Sequence, residues 1–328
     1  MMLIGKSLWG CHEAGDPDKW DSLFSSIKQE GYAGIETICV FDLNLDPQRF
    51  RACLDLHGLK LVIQIHTASD WGVFEYCGSC EVSDHVASFR ELMMNALQHK
   101  PDVINVHSGH DSWDTDTAIN YFTQVLAIEK ELVGQNDNDN NILVVHETHR
   151  QRLLHNPYTT RDILKHPQIM NSNPKLKLNL DISHWVCSCE KTFNPRKDKR
   201  DTWFNETLEL VASHCYLLHL RFGHPQGPQI PDLDDPSYSE DIALHLSWWK
   251  YIHGIQLDRA EAETQTEKQQ MYHLAMTEHG PFPYQIWSTP AKDKDADTKK
   301  NLTDEAKSKI LWDINNKVKD LVMNTIKG

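Results

Sequence analysis

The chain has 328 residues, 40% hydrophobic and 24% charged, the balance of a globular protein with a sizeable core rather than of a disordered chain. Its 33 basic and 47 acidic side chains leave a formal net charge of −14, a field that repels nucleic acid and anionic membrane. No apolar run approaches the ~20 residues needed to cross a bilayer. Met1–Gly10 lacks the basic and apolar regions of an export signal, so a cytoplasmic location is expected.

In chain order, Met2–Trp9 reads as a strand and is followed by an amphipathic helix around Asp18–Glu30. Gly34–Val40 and Leu59–His66 are further strands, with a helix over Pro47–His57 between them and another over Val82–His99 after them. Asp102–Gly109 is the fourth strand and Thr115–Val133 its helix, closed by the turn-forming stretch Gly134–Asn141. The scheme then repeats with strands at Asn141–Glu147, Leu176–Ile182, Cys215–Phe222 and Tyr272–Glu278. The helices between and after them fall at Thr160–His166, Asp201–His214, Ser239–Gly254 and Ala306–Ile326. Insertions at Val186–Arg200, Gly223–Ser239 and Ser288–Asn301 lie between elements.

Eight strand–helix units are what a (β/α)8 TIM barrel requires, and such barrels often exceed 250 residues as one domain. A doubly wound sheet would announce itself with a glycine-rich phosphate turn after the first strand, and Gly5 and Gly10 do not form one. The expectation is one α/β domain over residues 1–328. The eight cysteines are scattered: Cys77-Gly-Ser-Cys80 has no second pair to complete a zinc knuckle, and Cys187 and Cys189 stand too close together, so these read as loop thiols.

The last residues of the strands carry the chemistry. They are Glu36, His66, His107 with His110 and Asp111, Glu147 with His149 and Arg150, Asp181 with His184, His219 with Arg221, and Glu278 with His279. In a barrel these ends converge on one face. Glu147, Asp181, His219 and Glu278 come from four consecutive strands, so they can surround one point. Three carboxylates and a neutral imidazole suit one divalent metal ion, Mn2+ foremost, with Zn2+, Co2+ or Mg2+ also compatible. Each residue has a plainer reading too: Asp181 as a helix N-cap, His219 as a hydrogen-bonded barrel histidine, Glu278 as a loop carboxylate. Four such coincidences on adjacent strands are less economical than one metal site.

The series Val145-His-Glu-Thr-His-Arg150, Asp181-Ile-Ser-His-Trp185, His219-Leu-Arg221 and Thr277-Glu-His-Gly-Pro-Phe-Pro-Tyr284 resembles the xylose isomerase-like TIM-barrel superfamily. More narrowly it is similar to the sugar isomerase/epimerase group that includes D-tagatose 3-epimerase. That resemblance implies one divalent metal held by Glu147, Asp181, His219 and Glu278, and a substrate contact from His184. Arg221, a candidate substrate contact, stands nearer the metal histidine than the family's arginine does. It further implies epimerisation or isomerisation of a sugar by proton abstraction beside a carbonyl, through a metal-stabilised enediolate, with Glu147 and Glu278 alternating as base and acid. His107, His149, His184 and Arg221 would then bind substrate, and Trp9, Trp113 and Trp185 are candidate walls against the sugar, or simple packing residues. Gly223–Gln229 is not a basic anion nest, which favours an unphosphorylated substrate.

The alternatives are a metal-dependent dehydratase or lyase on a sugar or cyclitol derivative, an apurinic endonuclease, and a non-catalytic sugar-binding barrel. The −14 charge opposes the endonuclease, and the filled ligand positions oppose the non-catalytic barrel. Trp248-Trp249 and the lysine-rich last helix could support a homodimer or serve as core edge and solvated face.

Overall fold

The computed structural model describes residues 2–38, 46–69, 78–134, 142–264, 273–285 and 302–327. Cys77, the turn residues 135–141, the insertion 288–301 and the expected strand residues Cys39, Val40, Asn141 and Tyr272 lie outside the described residues. Eight parallel strands close into a barrel in sequence order. They are β1 (Leu3–Ser7), β2 (Gly34–Ile38), β3 (Lys60–His66), β4 (Val103–His107), β5 (Leu143–Glu147), β6 (Leu178–Leu180), β7 (Cys215–Leu220) and β8 (Leu274–Thr277). The helices are α1 (Trp20–Gln29), α2 (Pro47–His57), α3 (Val82–Leu97), α4 (Thr115–Val133), α5 (Pro157–Leu164), α6 (Pro167–Met170), α7 (Ile182–Ser188), α8 (Thr202–Ser213), α9 (Ser239–Thr264) and α10 (Asp304–Lys327).

Parallel barrel strands are covered on both faces, so their two residue parities build two separate cores. One parity packs against the helices in a large apolar cluster that includes Ile63, Ile65, Ile104, Val106, Leu218 and Leu220. The other forms a small cluster of Val62, Val103, Val145, Leu217, Leu274 and Met276. Gly5 leaves room for that plug, because a Cβ there would lie 2.5 Å from Met276 Cε. Side chains of one parity repeat every second residue. Two residues on from Val62, Val103, Val145, Leu217 and Met276 stand Gln64, Asn105, Glu147, His219 and Glu278. The register places Gln64 beside Asn105 and His66 beside His107. A polar layer therefore sits on the apolar plug, and the strand-end residues sit above it.

Local differences from the sequence reading have local causes. α9 runs ten residues beyond Gly254, because one interior glycine costs only about 1 kcal/mol and Ile255–Thr264 is rich in good helix formers. The expected Thr160–His166 helix begins at Pro157, where the Asn156 side chain accepts from Thr159 N at 2.9 Å, and a short α6 follows. The sixth strand is only three residues long, since Asp181 turns the chain into α7, a helix the alternation of Leu176, Leu178 and Leu180 does not reveal. Trp248 and Trp249 are buried in the large core. Cys80, Cys187 and Cys189 are free thiols. No helix among the described residues is long and apolar enough to cross a membrane.

Lys6, in β1, is 2% exposed and lies over the Trp312 ring, 3.7 Å from its centroid, with the Trp312 carbonyl and Asn316 Oδ1 each 3.4 Å away. Burial brings its pKa down to about 7 despite Glu30 nearby. The unfolded chain, with an ordinary lysine near pKa ~10.4, then binds more protons than the folded chain between those values, so stability rises with pH across that window. Lys6→Met is expected to be more stable than wild type by roughly 1–3 kcal/mol at pH 6, with the gain shrinking towards pH 10. Urea unfolding at several pH values checks this; a gain independent of pH would contradict it.

Candidate metal centre

The polar layer and the rim above it bring the four expected ligand residues together. Glu147, Asp181, His219 and Glu278, all buried, each offer a ligand atom, and these atoms lie within 4.8 Å of one another. The plain reading of Asp181 is also realised, since it caps α7: its Oδ1 accepts from Ser183 N at 2.9 Å and from Ser183 Oγ at 2.5 Å. Its other oxygen pairs with Arg221 Nη2. The sharpest feature is what the other three lack. Glu147 Oε1, His219 Nδ1 and Glu278 Oε2 are fully enclosed and have no well-formed hydrogen bond among the described residues, although His219 and Arg221 make ion-pair contacts with Glu278 Oε2. His219 Nδ1 lies 2.6 Å from Glu278 Oε2 and 3.5 Å from Glu147 Oε2. Buried acceptors brought this close repel one another unless a cation or proton sits among them.

Amide and imidazole donors hold the carboxylates in place. Gln64 Nε2 donates to Glu278 Oε1 at 3.0 Å. Glu147 Oε2 accepts from Asn105 Nδ2 at 2.6 Å, His107 Nε2 at 2.9 Å and Asn179 Nδ2 at 3.2 Å, which leaves Oε1 as its spare oxygen. His219 Nε2 donates to Glu36 at 3.0 Å, so its Nδ1 is the atom turned to the cluster. Burial alone would lower the His219 pKa, but Glu278, Glu36 and Glu147 outweigh it and hold it well above the ordinary value. Burial would raise Glu147, yet His107 and His219 bring it well below the carboxylate range; His219 and Arg221 do the same, less strongly, for Glu278. Burial lifts Asp181 to about 6 against the pull of Arg221.

Four imidazoles run along the rim beside this cluster. Ring centroids are 3.8 Å apart for His66–His107, 4.4 Å for His107–His149 and 3.8 Å for His149–His184. Burial keeps His66, His149 and His184 well below the usual histidine pKa, so they are neutral. His107, Glu147 and His149 also come close enough to be considered for a cation. There, however, His107 Nε2 already donates to Glu147, and His149 Nδ1 is 2.5 Å from the Arg150 carbonyl. Arg221 Nη2 donates to His184 Nε2 at 2.6 Å. Tyr284 lies between two guanidinium groups, 4.6 Å from Arg150 and 4.8 Å from Arg221.

The tryptophans fall differently. Trp9 meets Tyr284 edge-on at 4.8 Å and covers Gly280, where a Cβ would come within 2.1 Å of its ring. Trp113 packs on His85 and Tyr121 and donates to the Cys80 carbonyl at 2.7 Å. Trp185 is enclosed in the large core and donates to the Leu154 carbonyl at 3.0 Å, so packing accounts for it. Gln64, Asn105 and Asn179 carry no expectation from the strand ends, and neither does Tyr284. The first three have a signal all the same: each stands two residues before a strand-end His or Asp, on the same face.

The fold defines the class of relative before any particular one. The sequence matches no protein-family model and no curated protein. Among solved structures, the chain matches the structure of L-ribulose 3-epimerase at 11% identity, covering 100% of this chain and 96% of that one, with a TM-score of 0.61. The IOLI protein with a bound zinc atom matches at 11%, over 99% of each chain, with a TM-score of 0.58. D-allulose 3-epimerase from Methylomonas sp. in complex with D-allulose matches at 11%, over 99% of this chain and 96% of that one, with a TM-score of 0.54. The chain thus has the barrel fold of the sugar isomerases and epimerases, as the resemblance in its strand-end residues implied.

The Arg221–Asp181 pair gives a prediction independent of any activity. In chelator-treated protein, Arg221→Met strands the Asp181 carboxylate in the interior and is expected to cost about 3–5 kcal/mol. The double variant with Asp181→Asn should recover a large part of that loss in urea unfolding. Equal losses in the two variants would contradict the pairing.

Proposed function

We propose that the chain is a divalent-metal-dependent isomerase or epimerase of a small sugar, acting by proton abstraction beside a carbonyl. The convergence of Glu147 Oε1, His219 Nδ1 and Glu278 Oε2, three buried atoms without a well-formed hydrogen bond among the described residues, carries the reading. Glu147, Asp181, His219 and Glu278 would hold the ion; the set of three carboxylates and one imidazole fits Mn2+ best, then Zn2+, Co2+ or Mg2+. When bound, the ion supplies Lewis acidity that stabilises negative charge on the substrate carbonyl oxygen as the neighbouring C–H proton leaves.

The chain's own groups do the rest. Glu147 and Glu278, on β5 and at the end of β8, stand on separate strands around the cluster, so one takes the proton and the other returns it. The oxygen of each that turns to the cluster is the ligand atom, and the carboxylate's further lone pairs are what can take a proton. Donors from Asn105, His107 and Asn179 to Glu147, and from Gln64 to Glu278, fix which oxygen is the ligand. His184 accepts from Arg221 through Nε2, so its proton is on Nδ1, a buried donor without a partner among the described residues. His107 donates through Nε2, so its Nδ1 is a buried acceptor in the same condition. A donor and an acceptor of this kind suit adjacent sugar hydroxyls. Arg221 and His149 complete the polar wall, and Trp9 with Tyr284 offers an aromatic one. The likeness in fold to sugar 3-epimerases, one of them in complex with D-allulose, supports a sugar substrate.

Glu278→Gln keeps the shape of the site but removes one proton carrier. It is expected to stay folded while solvent-deuterium exchange into the substrate carbon falls by about 10²–10⁴. A panel of free ketoses and aldoses in D2O, read by NMR, checks this. Exchange at the wild-type rate in the variant would overturn the two-glutamate assignment.

A further inference from the structure

Among the described residues, Glu36 is the one carboxylate of the polar layer that stands outside the proposed ligand set. It is wholly buried on β2, across the barrel from β7. Its Oε1 accepts from His219 Nε2 at 3.0 Å and from Asn105 Nδ2 at 3.2 Å. The same Asn105 amide donates to Glu147 Oε2 at 2.6 Å. Leaving a carboxylate in an enclosed interior is costly unless its position serves two donors. An ionised carboxylate has only acceptor oxygens, so an imidazole nitrogen facing it must carry the proton. His219 has two nitrogens; the one held by Glu36 carries a proton, so Nδ1 is the one that can offer a lone pair to a metal ion.

We infer that Glu36 is a positioning residue of the metal centre, fixing His219 in the Nε2–H tautomer and, through Asn105, aiming the free oxygen of Glu147 at the same point. The inference rests on the metal-centre reading above. Carboxylate partners of this kind orient a ligating imidazole and raise its basicity, and their loss commonly costs 10–100-fold in metal affinity. In Glu36→Gln the new amide can turn its NH2 towards Nε2, which stabilises the opposite tautomer and puts a proton on the ligating nitrogen. With its carbonyl in the Oε1 position it keeps both donors, but its NH2 then replaces Oε2, which lies 3.0 Å from His219 Nε2, and sets one donor against another there. Either arrangement disturbs one ligand.

The test compares Mn2+ affinity, read by the EPR signal of free Mn2+, in wild type, Glu36→Gln and Glu129→Gln. Glu129 is the control because it is also a buried glutamate, accepting from His146 Nε2 at 2.8 Å, but lies outside the cluster. The expected result is a 10–100-fold weaker affinity in Glu36→Gln, with Glu129→Gln close to wild type. Affinity within twofold of wild type in Glu36→Gln overturns the positioning role and leaves the metal reading standing. Equal loss in both variants assigns Glu36 a structural role only and also overturns it. Wild type that binds no Mn2+ overturns both. Should Glu36→Gln fail to fold, 15N NMR of the histidine side chains in zinc-loaded wild type decides the matter: Nε2–H with metal on Nδ1 is expected for His219, and the reverse overturns the inference.

Discussion

Glu36, Glu147, Asp181 and Glu278 are all buried at one end of the barrel, and Arg221 is the guanidinium set among them. Everything else about the site follows from that imbalance of charge. The effective cost of enclosing an ion is several kcal/mol even after relaxation, so each carboxylate must be supplied with donors or cations. The amides of Gln64, Asn105 and Asn179, the imidazoles of His107 and His219 and the hydroxyl of Ser183 supply the donors. The unmet acceptors gather at one point, and the high pKa of His219 is the same imbalance seen from the imidazole, since a proton there is the nearest available cation.

The scaffold can carry such a site because its stability comes from elsewhere. The helix-facing parity of the strands builds the large core, and the small plug of Val62, Val103, Val145, Leu217, Leu274 and Met276 gives the polar layer a floor. Short parallel strands with the same two-residue period then bring side chains from β2 to β8 to a common height. Arg221 shows how strictly that period governs the site. Standing two residues after His219, it shares that residue's face and reaches Asp181, where an arginine one residue earlier or later would face the helices.

Much of this was legible from the residues. The strand ends stood out because Glu, Asp and His follow apolar runs, and the recurrence of that pattern on seven of the eight strands implied a shared face. The supporting layer was harder to see, because Gln64, Asn105 and Asn179 sit inside strands where a polar residue looks like an ordinary alternation on an exposed face. Only closure of the barrel turns that face inward. α7 was hidden for a different reason. It is seven residues long and is set by a single cap, Asp181, the same residue that reads as a metal ligand. Trp185 belongs to that helix, and once the helix is in place the ring packs into the core.

The account stands on a cation joining Glu147, Asp181, His219 and Glu278. The most direct measurement is elemental analysis of the purified protein, followed by re-loading of the chelated protein with Mn2+ under equilibrium dialysis. One equivalent per chain, lost when His219 is replaced by alanine, is the predicted result. A chain that binds none, or that binds the same amount without His219, would contradict it.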